Sequence, residues 1–124
     1  MYKLLIAEHS DELRTLLQEV LANEYHVTVC SSGKSALRML NSIHPDILIL
    51  DLVLPELDGL SLLEQSQYLP PWILCTTTIL SEHIIQSAID LGARCILRKP
   101  FSVKAIVTGL SELIIDTHPL FQGQ

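Results

Sequence analysis

A carboxylate, a hydroxyl and an ammonium each follow a short apolar run in this chain. Asp51 follows Asp-Ile-Leu-Ile-Leu, Thr77 follows Trp-Ile-Leu-Cys-Thr, and Lys99 follows Cys-Ile-Leu-Arg. A fourth run, Tyr-Lys-Leu-Leu-Ile-Ala, ends on Glu8 and His9. If the runs are parallel strands, their C-terminal ends line one edge of a sheet, and these side chains meet in a crevice there. An aspartate so placed is a nucleophile toward phosphorus, and a cation beside it offsets the charge that an incoming phosphoryl group adds. The spacing therefore outlines a phosphoryl-accepting carboxylate centred on Asp51. His9 is the odd member of the set.

For those ends to converge, strands must alternate with helices, and the hydrophobic pattern does so throughout. Residues 2–7 read as a strand. Leu13, Leu16, Leu17, Val20 and Leu21 recur at helical spacing, which predicts a helix over 11–23 with Ser10 as its N-cap. A β-branched strand spans 25–30, Ser31-Ser32-Gly33 reads as a turn, and Ala36, Leu37 and Leu40 face a second helix inward. His44-Pro45 ends that helix, and 46–50 is the unbroken apolar run of a central strand covered on both faces. Pro55 and Asp58-Gly59 punctuate a loop before a short helix near 59–67, and Pro70-Pro71 closes it. A fourth strand covers 72–76. Ile84, Ile85, Ala88 and Ile89 mark a fourth helix that stops at Gly92. A fifth strand covers 94–98, and Val103, Ile106, Val107, Leu110 and Ile114 stripe the last helix. Five such units imply an α/β fold: a flavodoxin-like, doubly wound parallel sheet of order 2-1-3-4-5. Its switch point falls between strands one and three, where Glu8, His9 and Asp51 sit.

The 124 residues suit one domain, and 48% apolar content with few aromatics predicts an aliphatic core. No apolar stretch approaches the roughly 20 residues that cross a bilayer. The first residues read as a strand and not as a signal peptide, so none is expected. Cys30, Cys75 and Cys95 are odd in number and lie in or at the end of strand runs, without metal-type spacing, so buried thiols in a reducing cytoplasm are expected. The net charge of −6 speaks against direct contact with a nucleic-acid backbone.

Over residues 3–115 the chain resembles the receiver domain of two-component response regulators. The segment Asp51-Leu52-Val53-Leu54-Pro55-Glu56-Leu57-Asp58-Gly59 carries the likeness most specifically. It is supported by Gly33 with Ala36 and Leu37, by Asp90-Leu91-Gly92-Ala93, and by Lys99-Pro100-Phe101. The resemblance implies that Asp51 accepts a phosphoryl group from a sensor histidine kinase, a phosphotransfer protein or a small acyl phosphate. It implies Lys99 as the cation on that group, a cis peptide before Pro100, and Thr77 as the hydroxyl that follows strand four. Thr77 is the match when residues are counted back from Lys99 without a gap; Thr76 takes its place if the intervening loop carries an insertion. A domain over 1–117 is expected, with 118–124 a tail or the start of a linker to an effector domain. The resemblance further implies a signalling surface on helices four and five, open to an effector domain or a second copy as a homodimer. The family's switch position in strand five is Ile96, which has no polar handle.

One departure bears on the chemistry. The family has two adjacent carboxylates after strand one that hold Mg²⁺ with the phosphoacceptor; here they are Glu8 and His9. Magnesium takes oxygen ligands and binds neutral imidazole poorly. Three readings follow. Mg²⁺ binds weakly through Glu8, Asp51, the Val53 carbonyl and water; or Mn²⁺ or zinc replaces it, with His9 as a ligand; or protonated His9 takes the cation's place against Asp51 without metal. Asp11, one turn on, serves the first turn of the helix in preference to a metal. Two functions compete: a phosphorylation-responsive receiver, which is a signalling phosphoacceptor and not an enzyme, and a pseudo-receiver that binds partners without phosphotransfer. Asp51, Thr77 and Lys99 together favour the former; His9 and Ile96 favour the latter. A nucleotide-binding enzyme of the same fold would need a glycine-rich cradle where Glu-His-Ser-Asp-Glu stands.

Overall fold

The computed structural model describes residues 1–79 and 81–115; the tail expected over 118–124 lies outside them. Five aliphatic runs pair as parallel strands β1 (Lys3–Ala7), β2 (His26–Cys30), β3 (Ile47–Asp51), β4 (Trp72–Thr77) and β5 (Cys95–Arg98). Their order is β2-β1-β3-β4-β5. The intervening helices are α1 (Asp11–Leu21), α2 (Gly33–Ile43), α3 (Gly59–Gln65), α4 (Glu82–Asp90) and α5 (Val103–Ile115). The flavodoxin-like order read from the hydrophobic pattern is the one observed.

Strand alternation divides the core into two layers. Leu5, Leu48, Leu50, Ile73 and Cys75 pack with α2, α3 and α4 on one face of the sheet. Leu4, Ile6, Ile47, Ile49 and Leu74 pack with Leu17 and Leu21 of α1 and Ile106, Leu110 and Leu113 of α5 on the other. β3 is buried along its whole length, as the unbroken apolar run required. Cys30 and Cys75 are buried free thiols and Cys95 is half-buried. Burial pushes the Cys30 thiol up to about 11 and the Cys75 thiol up to about 12, so neither is a thiolate nucleophile near neutrality.

Helix boundaries follow local chemistry. Ser10 Oγ accepts the Leu13 N–H at 3.3 Å, Ser32 Oγ the Ser35 N–H at 3.2 Å, and Asp58 Oδ1 the Ser61 N–H at 2.9 Å. The Ser32 cap makes Gly33 the first residue of α2 rather than part of a turn. His44 leaves α2 in the left-handed region, at φ 51°, and Gly92 carries the chain away from α4 at φ 120°. Three apolar positions differ from the expected faces. Leu16 is 42% and Ile89 is 47% exposed, because each lies on the flank of its helix, about 100° from the inward neighbours Leu17 and Ala88. In α5 the buried stripe runs Ile106, Gly109, Leu110 and Leu113, leaving Ile114 half-buried at its margin.

Gly33 ties α2 to the loop after β3. Its N–H donates to the Pro55 carbonyl at 3.0 Å, and a Cβ there would stand 1.7 Å from the Leu57 carbonyl oxygen. Backbone must move to admit any side chain. Gly33→Ala is expected to lower stability by about 2 kcal/mol or more, a typical cost of overpacking, measured as a lower urea midpoint at unchanged m-value.

Candidate functional site

Three strand ends converge as the alternating pattern requires. Glu8 immediately follows β1, Asp51 closes β3, and Lys99 immediately follows β5. The register pairs Ala7 with Leu50, which sets Glu8 and Asp51 side by side at the C-terminal edge. The Lys99 ammonium donates to Glu8 Oε2 at 2.9 Å, lies 2.8 Å from Oε1, and donates to Asp51 Oδ2 at 3.0 Å. The two carboxylates are 2% and 4% exposed, so the ammonium is what makes their proximity tolerable. The Lys99–Pro100 peptide is cis, as the resemblance implied.

Each carboxylate is also held by backbone. Asp51 Oδ1 accepts the Val53 N–H at 2.9 Å, and Glu8 Oε2 accepts the Ser10 N–H at 2.9 Å. Thr76 and Thr77 both lie in β4 and both are buried. Thr77 Oγ1 accepts the Ile79 N–H at 2.9 Å, which fixes the start of the next loop. The Thr77 carbonyl accepts the Lys99 N–H at 2.8 Å, tying the lysine's backbone to the end of β4. A cleft of about 400 Å³ opens beside Lys99, lined by Ser10, Leu13, Thr78, Lys99, Pro100 and Phe101.

His9 is not part of the cluster. Alternation at the end of β1 sends Glu8 inward and leaves His9 exposed. Among the described residues its imidazole enters no ion pair, and the cation against Asp51 is Lys99. The pairing of protonated His9 with Asp51, one of the three readings of that residue, is not seen among the described residues. Ile96 is half-buried against the α2–α4 face of the core. Asp11 serves α1, as expected, and forms an ion pair with Arg14.

Arg14 is the residue the sequence reading missed. Its guanidinium donates to the Glu8 carbonyl at 2.9 Å and the His9 carbonyl at 3.4 Å, clamping the turn that presents Glu8. An arginine inside an otherwise apolar helical stripe, three residues after an aspartate, was the available signal.

A doubly wound parallel sheet with an acid–lysine cluster at the switch-point edge defines a flavodoxin-like protein with a crevice site. The sequence model of the response regulator receiver domain matches residues 4–111, and the chain belongs to that family. Among solved structures, the Vibrio cholerae chemotaxis protein CheY4 is 28% identical, with a TM-score of 0.80 over 91% of this chain and 98% of that one. A CheY-like receiver domain protein from Methanospirillum hungatei is 18% identical, with a TM-score of 0.86 over 94% and 95% of the two chains. The receiver domain of a signal transduction histidine kinase from Syntrophus aciditrophicus is 22% identical, with a TM-score of 0.80 over 96% and 94%. Among the described residues no helix is long and apolar enough to cross a membrane.

Burial pushes the Lys99 ammonium down, but its hydrogen bonds to Glu8 and Asp51 and their charges outweigh this and hold it above its ordinary 10.5. A pKa raised on folding contributes stability in full below the unfolded value and loses it as pH rises through the folded value. The wild type is therefore expected to lose stability to urea as pH climbs above about 10.5, and Lys99→Met to show a shallower alkaline limb. Parallel limbs would show that the ammonium is not coupled to the two carboxylates.

Proposed function

We propose that this receiver domain accepts a phosphoryl group on Asp51 and relays its presence as a changed protein-interaction surface. The single observation that carries this reading is the bridge from Lys99 to Asp51, a buried nucleophile already in contact with a cation. In the reaction, a carboxylate oxygen of Asp51 attacks phosphorus of a phosphohistidine or an acyl phosphate, the bond from phosphorus to the donor breaks, and the donor leaves with that electron pair. Lys99, a point charge on a flexible stem, follows the added negative charge onto a phosphoryl oxygen. Thr77, whose hydroxyl holds the Ile79 N–H, would turn to the phosphoryl group and draw residues 78 and 79 with it. The cleft beside Lys99 gives a small donor access to this edge.

The oxygen donors present suit Mg²⁺, which is commonly held by one or two carboxylates with water and a phosphate. Glu8, Asp51 and the Val53 carbonyl would hold it, and it would supply charge neutralisation for the incoming phosphoryl group. In this reading water completes the shell, since Mg²⁺ usually keeps several waters. His9 would add at most an outer contact. A sensor histidine kinase or phosphotransfer protein as donor, an effector or second copy at α4 and α5, and a cytoplasmic setting complete this reading.

A pseudo-receiver that binds partners without phosphotransfer is the second reading, and an imidazole in place of a carboxylate at position 9 favours it. Intact mass after incubation with acetyl phosphate and Mg²⁺ separates the two. An adduct of about 80 Da on the wild type, absent from Asp51→Asn, is expected; no adduct under any metal condition overturns the switch. His9→Asp is expected to tighten Mg²⁺ and raise adduct yield together, since it adds a carboxylate's oxygens and negative charge next to Glu8.

A further inference from the structure

Thr76 presents a buried hydroxyl without a hydrogen-bond partner, directly beside the reactive carboxylate. The residue is 1% exposed, and among the described residues its Oγ1 has no partner. Valine has the same shape and would carry no such cost, so an orphaned hydroxyl here asks for a role. The other orphan, Trp72 Nε1, lies at the start of β4, where the Trp72 ring packs edge-on against Tyr2 at 4.9 Å. That is the opposite end of the strand from the site.

The sheet register fixes where Thr76 sits. Its partner on β3 is Asp51 and its partner on β5 is Leu97. Thr76 and Asp51 share a face, because Leu74, two residues before Thr76, and Ile47 and Ile49, four and two residues before Asp51, all pack on the α1 and α5 side. Adjacent strands lie about 4.8 Å apart, so the threonine hydroxyl needs only a rotamer change to come within reach of the carboxyl group. Lys99, two residues beyond Leu97, must cross β4 to reach Asp51 on β3. Thr76 is the β4 residue at the level of Asp51 over which that crossing is made. Asp51 accepts one bond on each oxygen, from Val53 and from Lys99, so acceptor capacity remains.

We propose that Thr76 is a positioning residue for Asp51: its hydroxyl, unpaired while Lys99 clamps the carboxylate, turns to donate to the carboxyl oxygen that Lys99 leaves for the phosphoryl group. The inference rests on the phosphoacceptor reading. It makes the resting state carry an unsatisfied group that the phosphorylated state satisfies. Thr76 thus favours the phosphorylated form without touching the phosphoryl oxygens.

The test uses beryllofluoride with Mg²⁺ as a phosphoryl mimic on the wild type, Thr76→Val and Thr76→Ser, with affinity read from the midpoint of a thermal-shift titration. Thr76→Val is expected to raise the melting temperature of the free protein by about 3–6 °C and to weaken beryllofluoride binding about tenfold, while Thr76→Ser keeps wild-type affinity. Thr76→Ala serves as a second hydroxyl-free variant if the valine protein does not fold. A free-state gain with unchanged beryllofluoride affinity overturns the role of Thr76 and leaves the phosphoacceptor reading intact. No response from the wild type overturns that reading and this inference with it.

Discussion

Two carboxylates buried within reach of one ammonium set the terms for the rest of this molecule. Glu8 and Asp51 stand on adjacent strands, and without Lys99 their charges would repel in a crevice with little water to screen them. The lysine comes from β5, beyond β4, so the bridge exists only when β1, β3, β4 and β5 hold their order and register. The same ion cluster that makes Asp51 tolerable also leaves it a nucleophile. Its cation sits on a flexible four-carbon stem, and its remaining side-chain contact among the described residues is a single backbone N–H. A more completely satisfied aspartate would be more stable and less reactive.

The loops around the crevice differ in how firmly they are anchored. On the β3 side, Gly33 donates to Pro55 and packs against Leu57, and Gly59 donates to the Leu52 carbonyl at 3.0 Å. On the β1 side, Arg14 and Ser10 grip the turn from Glu8 to His9. After β4, the threonine hydroxyl of residue 77 holds the Ile79 N–H, and residues 78 and 79 are exposed. That third loop hangs on the group that phosphoryl chemistry would recruit. A local bond exchanged at Thr77 therefore has a route to α4, whereas the other two loops act as a frame.

Much of the fold was legible because its elements are marked twice, once by periodicity and once by punctuation. Ser10, His44-Pro45, Asp58-Gly59 and Gly92 stop or start helices for reasons that act within a few residues. The misread positions lie where a tertiary neighbour decides. Leu16 fits the helical apolar pattern, but among the described residues no element covers that flank of α1. Gly33 looks like a turn glycine, and it is a helix residue whose missing side chain makes room for Leu57. Arg14 was passed over because its partners are main-chain carbonyls, which no residue type advertises.

What the linear order settled by itself was the α/β class, the strand sequence and the polar residues that close each strand, since alternation and capping are local properties. It also exposed the chemical anomaly of an imidazole at position 9. It did not tell whether that imidazole faces Asp51. Only the folded chain decided that His9 is exposed and stands outside the ion cluster, that Lys99 grips residues 91 and 48 positions away, and that Thr76 lies without a partner among the described residues, beneath the crossing. These are facts of register between strands far apart in the chain, set by packing of the whole sheet rather than by any short stretch of it.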